Sequence, residues 1–391
     1  MVSQEGARLP SGMNTIALGM AMFSMFFGAG NVVFPVLIGQ LAQDKSVYAI
    51  MGLLITAVFV PFLGLISISL YNGDYFTFFK RLGTVPSWLC ILPIMALIGP
   101  FAAIPRCIAI SHSAMTSFIP DLSIPFFSFI SCLVLYFFAY KKNRVMDLLA
   151  YVLTPGLLIS LLVIITKGLL NPTELQQHDK SAFDSFSFGL IEGYNTMDLF
   201  GSFIFSSVIL STLHDRFPGL AKDQKKLLSV STQASLIGMI LLGLVYVGIC
   251  FTAAYHAQEL RGFTADKVLS QLALRLLGPY AGVVVCIAVS LACLTTAISL
   301  TLVFSEFTAK SLLRGRVSYH AMLILTLLAS FFMANLKFSG IQALLIPILQ
   351  ILLPSFIVLS VLNLAHKVFG LTIVKIPVML TLILSTYYYA F

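Results

Sequence analysis

From Leu9 to Gln43 the chain runs for 35 residues without a charge, and in the middle of that stretch stands Phe26-Phe-Gly-Ala-Gly-Asn-Val-Val-Phe-Pro35. A straight helix crosses the hydrocarbon of a bilayer with about 20 residues. The stretch therefore has length to spare for a non-helical interruption at Gly28, Gly30 and Asn31. Backbone released from helical bonding at that depth is tolerated only where it is buried in protein or lines a polar cavity. The segment is thus expected to be a broken membrane helix. Its half-helix ends and loose carbonyls are suited to face a substrate and a coupling cation.

The rest of the chain agrees with a polytopic membrane protein. Hydrophobic residues make up 59% and charged residues 10% of the sequence, more apolar surface than a soluble core can absorb. The net charge of +8 does not point to nucleic acid, because the cations fall in short clusters between apolar spans. Six cysteines are dispersed through those spans with no metal-ligand spacing and read as small buried hydrophobes.

Eleven apolar spans are expected, at about 14–41, 48–71, 88–118, 123–140, 147–168, 195–213, 228–255, 280–308, 319–336, 339–366 and 371–390. With the amino terminus in the cytoplasm, 14 cations lie on the inner side, among them Lys80, Arg81, Lys141, Lys142, Arg144, Lys225 and Lys226, against 7 outside. That asymmetry favours an inside amino terminus. The layout reads as a single transmembrane domain, 1–391: one repeat over about 14–168, a second over about 195–366 and an extra helix at 371–390. Spans one and six both carry small or polar interruptions, Gly28 to Asn31 in the first and Gly201-Ser202 with Ser206-Ser207 in the second. Matching interruptions in two halves point to an inverted-repeat transporter. Close helix packing also selects glycine in membrane helices.

Span eight contains Ala292-Cys-Leu-Thr-Thr-Ala-Ile-Ser299 within an uncharged run. Hydroxyls are hard neutral donors suited to a monovalent cation that also takes carbonyls from an unwound neighbour, although membrane Ser and Thr also bond their own helix. Two ionisable residues fall inside spans, Arg106 and Asp198. A charge at that depth is costly and must face protein or water. Arg106 has three readings: a partner for a substrate carboxylate, a pair with Asp198, or an anchor for carbonyls at a break made by Pro105. A structural or gating pair with Asp198 is favoured. An apolar side-chain pocket is assigned to Phe203 and Phe205 with Ser206 beside them.

Four stretches together, Phe26 to Pro35, Gly99-Pro-Phe-Ala-Ala-Ile-Pro-Arg106, Gly193-Tyr-Asn-Thr-Met-Asp198 and Ala292 to Ala297, resemble the signatures of the branched-chain amino acid:cation symporters, the BrnQ-type carriers. The resemblance spans nearly the whole chain. It implies the leucine-transporter (LeuT) type fold: an all-α membrane protein with a five-plus-five inverted repeat, discontinuous helices one and six, and extra helices. It further implies that Gly28, Ala29, Gly30 and Asn31 contact substrate and cation, while Ala292, Thr295 and Thr296 complete a sodium site against span one, where carbonyls around Ser24 and Phe27 are expected to contribute. The sequence departs from the family at Cys107 and Ser113, where members commonly carry Thr and Glu, which bears on the coupling ion and its stoichiometry. Eleven spans also stand where twelve are usual, which bears on any dimer interface.

The reading is a symporter of leucine, isoleucine or valine in the bacterial cytoplasmic membrane, coupled to Na⁺ with H⁺ as the alternative, its partners being the amino acid, the ion and the lipid bilayer. No cofactor is expected apart from the coupling ion. An uncoupled carrier of other neutral amino acids is a further alternative. A membrane-embedded lipid enzyme would need convergent acid–base residues, and Arg106, Asp198 and His112 are too sparse for that.

Overall fold

The computed structural model describes residues 12–140, 154–177, 179–216, 223–278 and 281–390. Arg8, Lys141, Lys142, Arg144, Lys222 and the start of the fifth expected span, 147–153, lie outside the described residues. Among the described residues the chain is all-helical, and joining the broken helices gives the eleven expected spans.

Span one is α1 (Gly12–Phe26) and α2 (Ala29–Ala42), interrupted at Phe27 and Gly28. Span two is α3 (Ser46–Leu54) and α4 (Val60–Ser69), joined by a wider π-type turn over Ile55–Phe59. Pro61 explains that turn, because it has no N–H to return to the carbonyl four residues back. A short helix α5 (Tyr75–Lys80) leads into span three, which is itself broken: α6 (Thr84–Ile98) stops and α7 (Ala103–Thr116) restarts. The expected break at Pro105 is therefore displaced. Pro100 disfavours helical backbone at Gly99, which takes φ −92° and ψ −129°. Pro105 lies in the first turn of α7, where its missing N–H removes no helical bond.

Spans four and five are α8 (Ile124–Tyr140) and α9 (Thr154–Leu170). Span six differs most from the sequence expectation. Residues between the fifth and sixth expected spans form α10 (Ala182–Tyr194), begun by a reciprocal cap between Ser181 and Asp184. After a three-residue interruption at 195–197, α11 (Asp198–Arg216) runs without a break through Gly201 and Ser206. The discontinuity is thus at Asn195–Met197, with Met197 at φ 67°, and not at the small residues that suggested it. Gly189 and Gly193, one helical turn apart, let α10 press against α3. A Cβ at Gly189 would collide with the Ala49 carbonyl, and one at Gly193 with the Thr56 hydroxyl.

Span seven is α12 (Gln224–Tyr255), followed by a short amphipathic helix α13 (Val268–Leu277). The remaining spans are α14 (Ala281–Phe307), α15 (Tyr319–Ala334), α16 (Lys337–Phe369) and α17 (Lys375–Ala390). Packing divides them into two groups. Span one packs on span seven and span six on span two, forming a bundle, whereas α7, α8, α14 and α15 pack mutually as a scaffold with α9 against α14. The pairs one–seven and six–two exchange when the first five spans are matched to the next five, as an inverted repeat requires.

Candidate functional site

The interruption of span one rests on close approach. Gly28 is extended (φ −117°, ψ −156°), and its N–H donates to Asn31 Oδ1 at 3.1 Å, which supplies an acceptor at the start of α2. A Cβ on Gly28 would stand 2.8 Å from Thr296 Oγ1, and one on Gly30 would stand 2.7 Å from Arg106 Nη2. Both glycines are needed because polar side chains from the scaffold enter where their own would be.

Thr296 Oγ1 donates to the carbonyls of Met25 at 3.0 Å and Ser24 at 3.3 Å, joining span eight to the carboxyl end of α1. A half-helix end of that polarity carries partial negative charge and favours a cation. The Ser24 hydroxyl is fully buried and has no hydrogen-bond partner among the described residues, an orphaned oxygen on the residue whose carbonyl Thr296 meets. Neutral oxygens of this kind suit a hard monovalent ion. The expected set assembles only in part. Thr295 turns to its own helix, donating to the Ala292 carbonyl at 3.0 Å. Met25, which was not in the expected set, supplies the second carbonyl that Thr296 meets; the Phe27 N–H reaches the Phe23 carbonyl at 2.8 Å, which leaves the expected Phe27 carbonyl a candidate ligand.

A narrow cavity of about 30 Å³ lies between spans one, three, six and eight. Gly28, Ala29, Gly30 and Asn31 form one wall, Arg106, Thr196 and Asp198 add polar groups, and Ile98, Phe205 and Leu300 are apolar. The first-turn amides of α2 end there, and a helix amino terminus is suited to a carboxylate. The space accepts a water or two, so an amino acid enters only if the apolar walls separate. Phe26 and Phe205 meet edge-to-face at 5.0 Å across it.

Two assigned pocket residues are elsewhere. Phe203 is fully buried against Phe78, Phe79 and Phe356. Ser206 Oγ hydrogen-bonds Ser69 Oγ at 3.0 Å and the Leu65 carbonyl at 3.3 Å in span two. Residues two apart on a helix face nearly opposite directions, so Phe205 and Phe203 cannot line one pocket.

Arg106 and Asp198 also separate. The buried guanidinium donates from Nη1 to the Asn195 carbonyl at 2.7 Å and from Nη2 to the Thr196 carbonyl at 3.2 Å. It caps the carbonyls released by the interruption of span six, and its central carbon Cζ lies over the Phe34 ring, 5.9 Å from the centroid. Asp198 Oδ2 instead accepts from Asn31 Nδ2 at 2.7 Å and from the Tyr246 hydroxyl at 3.0 Å. The favoured pair is therefore replaced by two separate anchorages. Tyr246, fully buried on α12, also accepts a short hydrogen bond from Asn31. Tyr246 carried little sequence signal, being one of two tyrosines in an uncharged span. Of the two family departures, Cys107 borders the cavity, and Ser113 donates to Asp266 from the loop before α13. A carboxylate thus meets span three from another segment.

Broken helices in an inverted repeat, with polar side chains directed at their free ends, define a membrane transporter. A family model described as branched-chain amino acid transport protein matches residues 11–390. The chain belongs to that family of branched-chain amino acid transporters, and it is not an enzyme. It is 32% identical over 359 residues to the branched-chain amino acid permease BrnQ of Corynebacterium glutamicum, covering 90% of this chain and 80% of the relative. It is 29% identical over 364 residues to the permease BraB of Bacillus subtilis, covering 91% and 81%. Its fold is similar to Mhp1 in an inward-facing conformation, with TM-score 0.62 and 12% identity over 90% of this chain and 77% of that one. It is also similar to a Na⁺-coupled sialic acid symporter, with TM-score 0.54 and 12% identity over 97% and 89%. These likenesses establish the LeuT-type fold.

Proposed function

We propose that the chain imports leucine, isoleucine and valine together with a cation, Na⁺, by alternating access. The observation that carries this reading is the Thr296 hydroxyl on span eight directed at the Ser24 and Met25 carbonyls of span one. A cation held there neutralises the carboxyl end of α1 and ties bundle to scaffold. The amino acid carboxylate meets the first-turn amides of α2, and its apolar side chain parts Phe205 from Phe26. Substrate and ion then share span one. Each raises the affinity of the other, and the coupling is reciprocal. Joint binding stabilises an occluded state from which the bundle rocks against the scaffold. No cofactor takes part, Na⁺ being a co-substrate. The inner-side excess of cations supports an amino terminus in the cytoplasm of a bacterium, with the chain in its inner membrane.

Proton coupling is the second reading, favoured by the buried Asp198 carboxylate between Asn31 and Tyr246. Uptake of labelled leucine into proteoliposomes separates the two. Concentrative uptake driven by an imposed Na⁺ gradient at equal pH is expected; accumulation driven by a pH gradient alone, with no response to Na⁺, would favour the proton.

A further inference from the structure

Two side chains from the scaffold reach the broken helices of the bundle, and they do so as counterparts. Thr296 on span eight meets the Ser24 and Met25 carbonyls at the interruption of span one. Arg106 on span three meets the Asn195 and Thr196 carbonyls at the interruption of span six. In the inverted repeat, span three corresponds to span eight and span six to span one. Each polar group lies where a glycine of span one has given up its Cβ, Gly28 for Thr296 and Gly30 for Arg106. One junction thus presents neutral oxygens, and the other presents the same backbone oxygens with a cation already covalently attached.

We infer that the Arg106 guanidinium is a tethered cation, occupying at the three–six junction the role that a mobile cation plays at the one–eight junction. This rests on the symporter reading above. A guanidinium is charged at every physiological pH and its planar fork can donate to two carbonyls at once. Its permanent positive charge stabilises the open backbone of span six without drawing an ion from solution. The site is buried, Arg106 being 3% exposed, so its positive charge is carried through the cycle and is not exchanged. The transporter then takes up one mobile cation per amino acid, although its fold offers two related places for one. Arg106 is a positioning residue: it holds Asn195 and Thr196, and through them the start of α11 where Asp198 accepts from Asn31 and Tyr246. A packing residue would be restored by any side chain of similar shape, whereas a tethered cation is restored by the charge itself.

The test is leucine/leucine exchange in proteoliposomes, which requires no ion gradient, for wild type, R106A and R106K. Removing one side of a buried polar contact is expected to lower exchange by R106A at least about 100-fold. Guanidinium or methylguanidinium at millimolar concentration, with choline as control, is expected to recover about tenfold of that loss, and R106K to retain more activity than R106A. Normal exchange by R106A, or no response to guanidinium in R106A that inserts and purifies as a single species, overturns the inference. So does loss of leucine binding in R106A with leucinamide binding unchanged, which would place the substrate carboxylate on Arg106. Should R106A not insert, the wild-type reversal potential decides: one charge moved per leucine supports the inference, and two overturn it. Failure of the symporter reading is seen separately, as wild-type uptake indifferent to every cation gradient while guanidinium still restores exchange by R106A.

Discussion

Adjacent threonines on span eight have different partners, and this separates their expected effects. Thr296→Val keeps the shape of the side chain and deletes the one hydroxyl that spans from α14 to the Ser24 and Met25 carbonyls, at 3.3 and 3.0 Å. Removing one partner of a buried hydrogen-bonded group costs about 1–3 kcal/mol. Expressed as cation affinity, that is a rise of about 5- to 150-fold in the Na⁺ concentration giving half-maximal leucine uptake. Thr295→Val deletes a hydroxyl bonded to Ala292 in its own helix at 3.0 Å, where about 1 kcal/mol or less of stability is at stake and the ion dependence is expected to hold. The assay is initial leucine uptake into proteoliposomes across a Na⁺ series, with leucine affinity measured at saturating Na⁺. Reciprocity requires weaker leucine binding by Thr296→Val at low Na⁺ and near-normal binding at high Na⁺. Unchanged Na⁺ activation in Thr296→Val at normal incorporation would refute the site. A larger shift in Thr295→Val than in Thr296→Val would refute the geometry assigned to the two hydroxyls.

Leucine, isoleucine and valine are expected to compete with one another while lysine and glutamate do not, and one methylene is worth only about 1–3 kcal/mol of discrimination; inhibition by charged amino acids as strong as by leucine would contradict the apolar pocket. Phe205→Ala is expected to widen the cavity and admit larger neutral side chains in competition assays. Phe203→Ala, which removes a ring from the cluster with Phe78, Phe79 and Phe356, should instead lower stability by about 3–5 kcal/mol with specificity unchanged. Reversal of those roles would show the face of α11 to be wrongly assigned. Gly189→Ala places a Cβ against the Ala49 carbonyl, backbone that cannot rotate aside, and is expected to cost about 1–3 kcal/mol in thermal unfolding of the purified protein; an unchanged melting temperature would refute the packing of α10 on α3.

Much of this protein is legible in one dimension because the bilayer constrains each segment separately. Every backbone polar group in hydrocarbon must be satisfied within its own helix, so apolar length alone located the spans and surplus length exposed the interruption at Gly28. Local chemistry also marked Thr295, Thr296 and Arg106 as polar groups at depth, whereas Ser24 entered only through the family resemblance, as a backbone carbonyl. Which partners they take was not local. Arg106 had three readings in sequence, and only the approach of span six to span three, through the space left by Gly30, selected the Asn195 and Thr196 carbonyls. Tyr246 gave little signal because its role depends on two residues 215 and 48 positions away. The first half of span six is not legible as a span, since α10 is a short helix with Asp184 and Glu192 in it, stabilised by packing its glycine face on α3 rather than by apolar length. Likewise Phe203 and Phe205 are alike in composition and neighbours in sequence, and only the rotation of α11 about its axis sends one into the core and the other to the cavity. Sequence thus determined which segments enter the membrane and where a helix must break. The tertiary structure decided which carbonyl, carboxylate or ring each break would meet, because those contacts join helices whose mutual rotation no single segment encodes.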